Sequence, residues 1–148
     1  MALNRSSHIP KRAGAGPRAH LGHLQRSKPP AAWKGTPAES RFDLAALTEP
    51  TVLFSGSARG SASTYPQNAN VTAAIALAGI GFDATVVQLI ADPSIERNFD
   101  EVVAEGAFGR LIVRLENAPL PHNPKTSWLA VLSIERELRR VLDLADPS

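Results

Sequence analysis

The stretch FDEVVAEGAFGRLIVRLE, residues 99–116, decides the fold. Its second half alternates, with Leu111, Val113 and Leu115 expected inward and Arg110, Ile112, Arg114 and Glu116 outward. A period of two is what an antiparallel strand with one buried face requires. The turn Gly106-Ala107-Phe108-Gly109 joins it to Phe99–Glu105, and the spacing predicts a hairpin. Upstream, Ala84–Ile90 reads as a strand with Thr85, Val87 and Leu89 on one face, closed by Ala91-Asp92-Pro93. Thr51-Val52-Leu53-Phe54 reads as another, stopped by Ser55-Gly56-Ser57.

Helical signals lie between and after these strands. A short helix is expected at Ala58–Thr64, diluted by Gly60, and Pro66 suits the first turn of the next. Asn68–Ala78 is apolar on nearly every face, which predicts a buried helix lined with small residues and ended by Gly79 and Gly81. A last helix is expected from about Thr126 to Leu142, with Trp128, Val131, Ile134, Leu138 and Val141 on one stripe. The order strand, helix, strand, hairpin, helix implies an α+β fold: a mixed or mostly antiparallel sheet with helices packed on one face.

The chain has 148 residues, enough for one domain with a modest core, and no cysteine. That excludes a disulfide framework, a thiolate metal site and a cysteine nucleophile, and it fits a reducing, cytoplasmic setting. The longest mostly apolar run, Val71–Ile80, is about half of what a membrane span needs.

The net charge of +2 hides an asymmetry. Residues 1–36 carry seven cations (Arg5, Lys11, Arg12, Arg18, Arg26, Lys28, Lys34) and no acid, which leaves 9 basic against 14 acidic residues from 37 onwards. Pro10, Gly14, Gly16 and Pro17 break any amphipathic targeting helix in the head. A nucleic-acid arm ranks last, because no aromatic residue precedes Trp33 to stack on a base. Residues 1–26 are therefore expected to be a disordered basic segment and 27–148 the folded domain.

No dinucleotide-binding glycine fingerprint, Walker loop, nucleophile elbow or His-Glu-x-x-His motif occurs. What carries chemistry is a series of blocks. Trp33-Lys34-Gly35-Thr36-Pro37-Ala38-Glu39, Gly56-Ser57-Ala58 and Tyr65-Pro66-Gln67-Asn68-Ala69-Asn70-Val71 come first. Ala78-Gly79-Ile80-Gly81-Phe82-Asp83, Ala91-Asp92-Pro93, Gly106-Ala107-Phe108-Gly109 and Asn123-Pro124-Lys125-Thr126-Ser127 follow. In order and spacing these blocks resemble the L-aspartate dehydrogenase family over residues 27–148.

The resemblance implies an NAD- or NADP-dependent oxidation of L-aspartate to iminoaspartate, which hydrolyses to oxaloacetate and ammonia and also feeds NAD biosynthesis. It implies an α+β domain forming the substrate side and the dimer contact of an enzyme whose other half is a Rossmann domain. Nothing before residue 27 resembles that half, so the chain is expected to be truncated and inactive alone. A separate Rossmann partner, a homodimer, or a non-catalytic remnant acting as a folding or dimerisation module are the expected alternatives.

Site residues follow from the same resemblance. Asn70 stands where the family contacts the cofactor, or else Asn68 or Asn70 caps the following helix. The family's active-site histidine falls in an Asn-x-His-Glu pattern that here reads Asn98-Phe99-Asp100-Glu101, so Asp100 replaces it. An exposed aspartate is a weak base at neutral pH and adds negative charge beside a dicarboxylate substrate. Lys125, Thr126 and Ser127 are expected to open the last helix and either seat a substrate carboxylate or cap that helix. Ser55 departs from the family, which usually has an acid before the Gly-Ser-Ala step, and His122 reads as a solvated loop residue.

Overall fold

The computed structural model describes residues 19–121, 123–127 and 135–136. Five strands form one sheet: β1 (Ala19–Lys28), β2 (Thr51–Ser57), β3 (Val86–Ala91), β4 (Asn98–Gly106) and β5 (Gly109–Asn117). Their spatial order is β2-β3-β1-β4-β5. Strand β1 lies in the middle, parallel to β3 and antiparallel to β4, and the other pairings are antiparallel. The sheet is therefore mixed, and with helices α1 (Pro37–Arg41), α2 (Ala58–Thr64) and α3 (Ala69–Ala78) the fold is α+β as the element order predicts. A separate ribbon pairs β6 (Pro119–Leu120) with β7 (Asn123–Ser127).

The hairpin pairs Gly106 with Gly109 and runs in register to Asn98 opposite Asn117. Its burial departs from the expectation. Strand β5 is an edge, and Gly109–Glu116 are exposed whichever way they point, with Leu111 at 53% and Ile112 at 54%. The alternation correctly separates two faces, but neither face of β5 is covered among the described residues.

The largest correction concerns the basic head. Ala19–Lys28 is the central strand, so the folded domain begins before residue 27. Sequence reasoning missed it because polar side chains alternate with few apolar ones, and buried ions are uncommon enough to read as tail. The expectation of disorder for 1–18 lies outside the described residues, as does His122.

A second correction concerns the C-terminus. Thr126 and Ser127 belong to strand β7 and do not begin a helix. Residues 135–136 are helical, and the rest of the expected last helix lies outside the described residues.

The core sits between the sheet and its helical layer. Leu24, Trp33, Leu53, Ala58, Tyr65, Ala76, Val87 and Leu89 form its buried centre. Trp33 donates its indole N–H to the carbonyl of Ile90 at 3.2 Å, and its ring meets Tyr65 edge-on, with centroids 6.0 Å apart. A large aromatic residue can be fully buried when its polar handle finds a partner in this way.

Caps fix the helices locally. Thr36 accepts from the Ala38 N–H while Glu39 reaches back to the Gly35 N–H, and Ser57 accepts from the Gly60 N–H at the start of α2. Helix α3 is less buried than its composition suggests. Thr72 and Ala76, one turn apart, face inward, while Leu77 is 73% exposed.

Leu24, fully buried in the middle strand, and Leu77 give contrasting tests of this layering. Leu24→Ala is expected to cost about 2–5 kcal/mol in urea unfolding, and Leu77→Ala to stay within about 0.5 kcal/mol.

Candidate functional site

Alternate residues of β1 point to the helical side of the sheet, so Leu24, Arg26 and Lys28 share one face. Leu24 meets the apolar core, but Arg26 and Lys28 place two cations under the same layer. Both are 7% exposed. Buried charges must find partners or carry a heavy desolvation cost.

The partners come from three elements. Register puts Arg26 opposite Asp100 on β4, and the Arg26 Nε donates to Asp100 Oδ1 at 2.5 Å. Asn117, at the end of β5, donates its Nδ2 to the other carboxylate oxygen at 3.2 Å. The Arg26 Nη1 donates to the backbone carbonyl of Asn68 at 2.9 Å, and the Lys28 Nζ donates to Asn68 Oδ1 at 2.6 Å. Asn68 ends the 3-10 turn that leads into α3. Arg26, Lys28, Asn68, Asp100 and Asn117 are all buried, and together they form a polar strip across the sheet.

Lys28 also sits 5.5 Å from the centroid of the Trp33 ring. Burial, followed by the neighbouring Arg26 charge, pulls its pKa down to about 8, against a partial upward pull from Asp100.

The structure sorts the residues expected from sequence. Asp100 lies inside the strip, 4% exposed and held by Arg26 and Asn117, rather than open to solvent. Asn70 is exposed on the first turn of α3, and its Oδ1 accepts from the Val71 N–H at 2.8 Å. Asn68 makes no side-chain cap, since its amide oxygen takes Lys28 instead. Lys125, Thr126 and Ser127 lie on β7, so a carboxylate seat built from helix-terminal N–H groups is not available to them. Ser55 is exposed on β2, opposite Gln88.

Sequence reasoning missed Arg26, Lys28, Asn68 and Asn117 as members of one cluster. The only local signal was the every-second spacing of Leu24, Arg26 and Lys28, which the surrounding positive charge concealed.

A mixed sheet carrying helices on one face and a buried ionic strip within it makes the chain an α+β domain built around a polar centre. A family profile described as "Aspartate dehydrogenase, C-terminal" matches residues 20–141. The chain belongs to that family. It is 53% identical over 111 residues to an L-aspartate dehydrogenase of Ralstonia pickettii, covering 75% of this chain and 42% of that one. Another, from Ruegeria pomeroyi, is 53% identical over 113 residues, covering 76% and 41%. The chain thus spans less than half the length of these curated relatives. The crystal structure of aspartate dehydrogenase from Thermotoga maritima shares the fold, with a TM-score of 0.63 at 24% identity over 88% of this chain and 46% of that one.

The depressed Lys28 pKa has a consequence for stability. Between about pH 8 and pH 10 the unfolded chain holds a proton on Lys28 that the folded chain releases, so Lys28 makes the fold more stable as pH rises through that window. Thermal unfolding followed from pH 7.5 to 10 is expected to show this rise, and Lys28→Met to abolish it.

Proposed function

We propose that the chain is the substrate-side part of an NAD(P)-dependent L-aspartate dehydrogenase and is inactive alone. Family membership supports the reaction class, and the family resemblance implies a nucleotide-binding half as the other part of such an enzyme. The observation that carries the inactivity is the state of Asp100. It stands at the position of the family's histidine and is engaged on both carboxylate oxygens by Arg26 and Asn117.

Oxidising the amine of aspartate to an imine removes a hydride and a proton. The nicotinamide supplies the hydride acceptor when it is bound. The proton needs a base near neutral pH, the role a histidine suits. Asp100 instead acts as the counter-ion of a buried arginine, with both carboxylate oxygens already engaged.

The remaining contacts follow the same reading. The Oδ1 of Asn70 is occupied by Val71, which leaves its Nδ2 to donate to a nicotinamide carboxamide oxygen from an exposed position. Lys125, Thr126 and Ser127, which lie on β7, stay proposed for a substrate carboxylate on the family resemblance. The working location is cytoplasmic, and no helix among the described residues is long and apolar enough to cross a membrane.

A second reading, a non-catalytic module that dimerises, draws on the exposed apolar residues of β5, Leu111, Ile112, Val113 and Leu115. Nucleic-acid binding by the basic N-terminus has no comparable support.

Pure chain incubated with L-aspartate and either NAD or NADP is expected to give no absorbance rise at 340 nm. Supplying in trans the part of the Ralstonia pickettii L-aspartate dehydrogenase that this chain does not match, together with Asp100→His, is expected to restore turnover. Turnover by the unmodified chain alone would overturn the proposed inactivity. Failure of the complemented Asp100→His chain, shown to be folded and associated, would favour the non-catalytic reading.

A further inference from the structure

We propose that β5 pairs edge to edge with β5 of a second copy of this chain, antiparallel and centred on Val113, so that two five-stranded sheets become one. The choice of a second copy rests on the dimerising reading above, whereas the edge and the register rest on the strand itself.

The sheet has two edges, and only one is open to continuation. At β2 the ladder to β3 shifts between Val52 and Phe54, and a bulge of this kind turns an edge away from further pairing. At β5 the ladder to β4 runs unbroken over all 9 residues of the strand, Gly109–Asn117. No described strand lies beyond β5, and Gly109–Glu116 are exposed.

Backbone groups set the parity of any added strand. The two-residue turn Ala107-Phe108 closes on the pair Gly106–Gly109, so that pair and every second one after it exchange hydrogen bonds across the hairpin. Leu111, Val113 and Leu115 thus turn their N–H and C=O groups toward β4, and Arg110, Ile112, Arg114 and Glu116 turn theirs outward. An antiparallel neighbour must bring its own outward residues opposite these. A two-fold axis through Val113 does so, setting Arg110 opposite the second copy's Glu116 and Ile112 opposite its Arg114.

Side chains select the same centre. On the helical face, Leu111 meets the second copy's Leu115, and Val113 meets its own counterpart. These are the non-hydrogen-bonded pairs, whose side chains lie closest, and the three residues are 53%, 42% and 39% exposed in the single chain. On the other face each Arg110 meets a Glu116. Arg110 also lies 3.1 Å from Glu105 of its own chain, whereas Glu116 has no ion pair among the described residues. Moving the axis by one residue sets Arg110 against Arg114, or Arg114 against itself, and like charges directly opposite are destabilising. Val113 is also the midpoint of Gly109–Asn117, so this register alone overlaps the whole strand.

The chain has no cysteine, so a single introduced one reports the register. Across a non-hydrogen-bonded pair the Cα atoms lie about 4.5 Å apart, within disulfide reach. Val113→Cys is expected to cross-link into a dimer on a non-reducing gel after mild oxidation. Leu111→Cys, about 13 Å from its counterpart, is expected not to. Sedimentation of the full-length chain over a range of concentrations is expected to show a monomer–dimer equilibrium, and Ile112→Pro, which removes an outward N–H, to lose the dimer. Arg110→Glu and Glu116→Arg are each expected to weaken it about tenfold, and an equimolar mixture of the two to regain the parent affinity, because every facing pair then joins opposite signs. The mixture keeps the pairing testable if Ile112→Pro fails to fold. A chain that stays monomeric throughout would overturn both the pairing and the dimerising reading. A dimer that survives Ile112→Pro, cross-links equally at both positions, or is not regained on mixing would overturn the pairing and leave dimerisation to another surface.

Discussion

The ion pair between Arg26 and Asp100 is the constraint on which the rest of the structure depends. It joins residues 74 positions apart and fixes the register of the two strands at the middle of the sheet. A one-residue slip between β1 and β4 would turn Asp100 to the opposite face and leave Arg26 buried without its anion. The same guanidinium holds the carbonyl of Asn68, so the pair also sets where α3 begins. Strand pairing, helix placement and the polar strip are thus one arrangement reached through a single side chain.

The sheet is built unevenly around that strip. Its β2-β3-β1 half packs aromatic and aliphatic residues beneath helices, with Trp33, Phe54 and Tyr65 in successive edge-on contacts. Its edge strand β5 presents valine, leucine and isoleucine to solvent among the described residues. Apolar exposure concentrated on an edge strand is a liability for an isolated domain.

The sequence made the elements with strong periodicity legible. The alternation in Arg110–Glu116 and the two glycines at Gly106 and Gly109 located the hairpin, and its register agrees. Val87 and Leu89 marked β3, and Ser57 followed by Ala58 marked the start of α2. Strand β1 was not legible, because its anion lies far along the chain and its own residues resemble a solvated tail. The run of small apolar residues in α3 revealed a helix but not which side would be covered, since alanine offers little contrast between its faces. Asp100 was singled out only through the family resemblance, and its surroundings became legible only in the fold: a carboxylate read as exposed proved to be the buried partner of an arginine.

Asp100 thereby links structure to function. The residue proposed for the family's proton-transfer position is here the buried counter-ion of Arg26 and a hydrogen-bond partner of Asn117. The most direct measurement is a double-mutant cycle in urea unfolding on Arg26→Met and Asp100→Leu. If the pair organises the sheet, each single change costs about 3–5 kcal/mol by stranding a buried charge, and the double variant recovers most of that loss. Single changes costing under about 0.5 kcal/mol and summing without coupling would contradict the account.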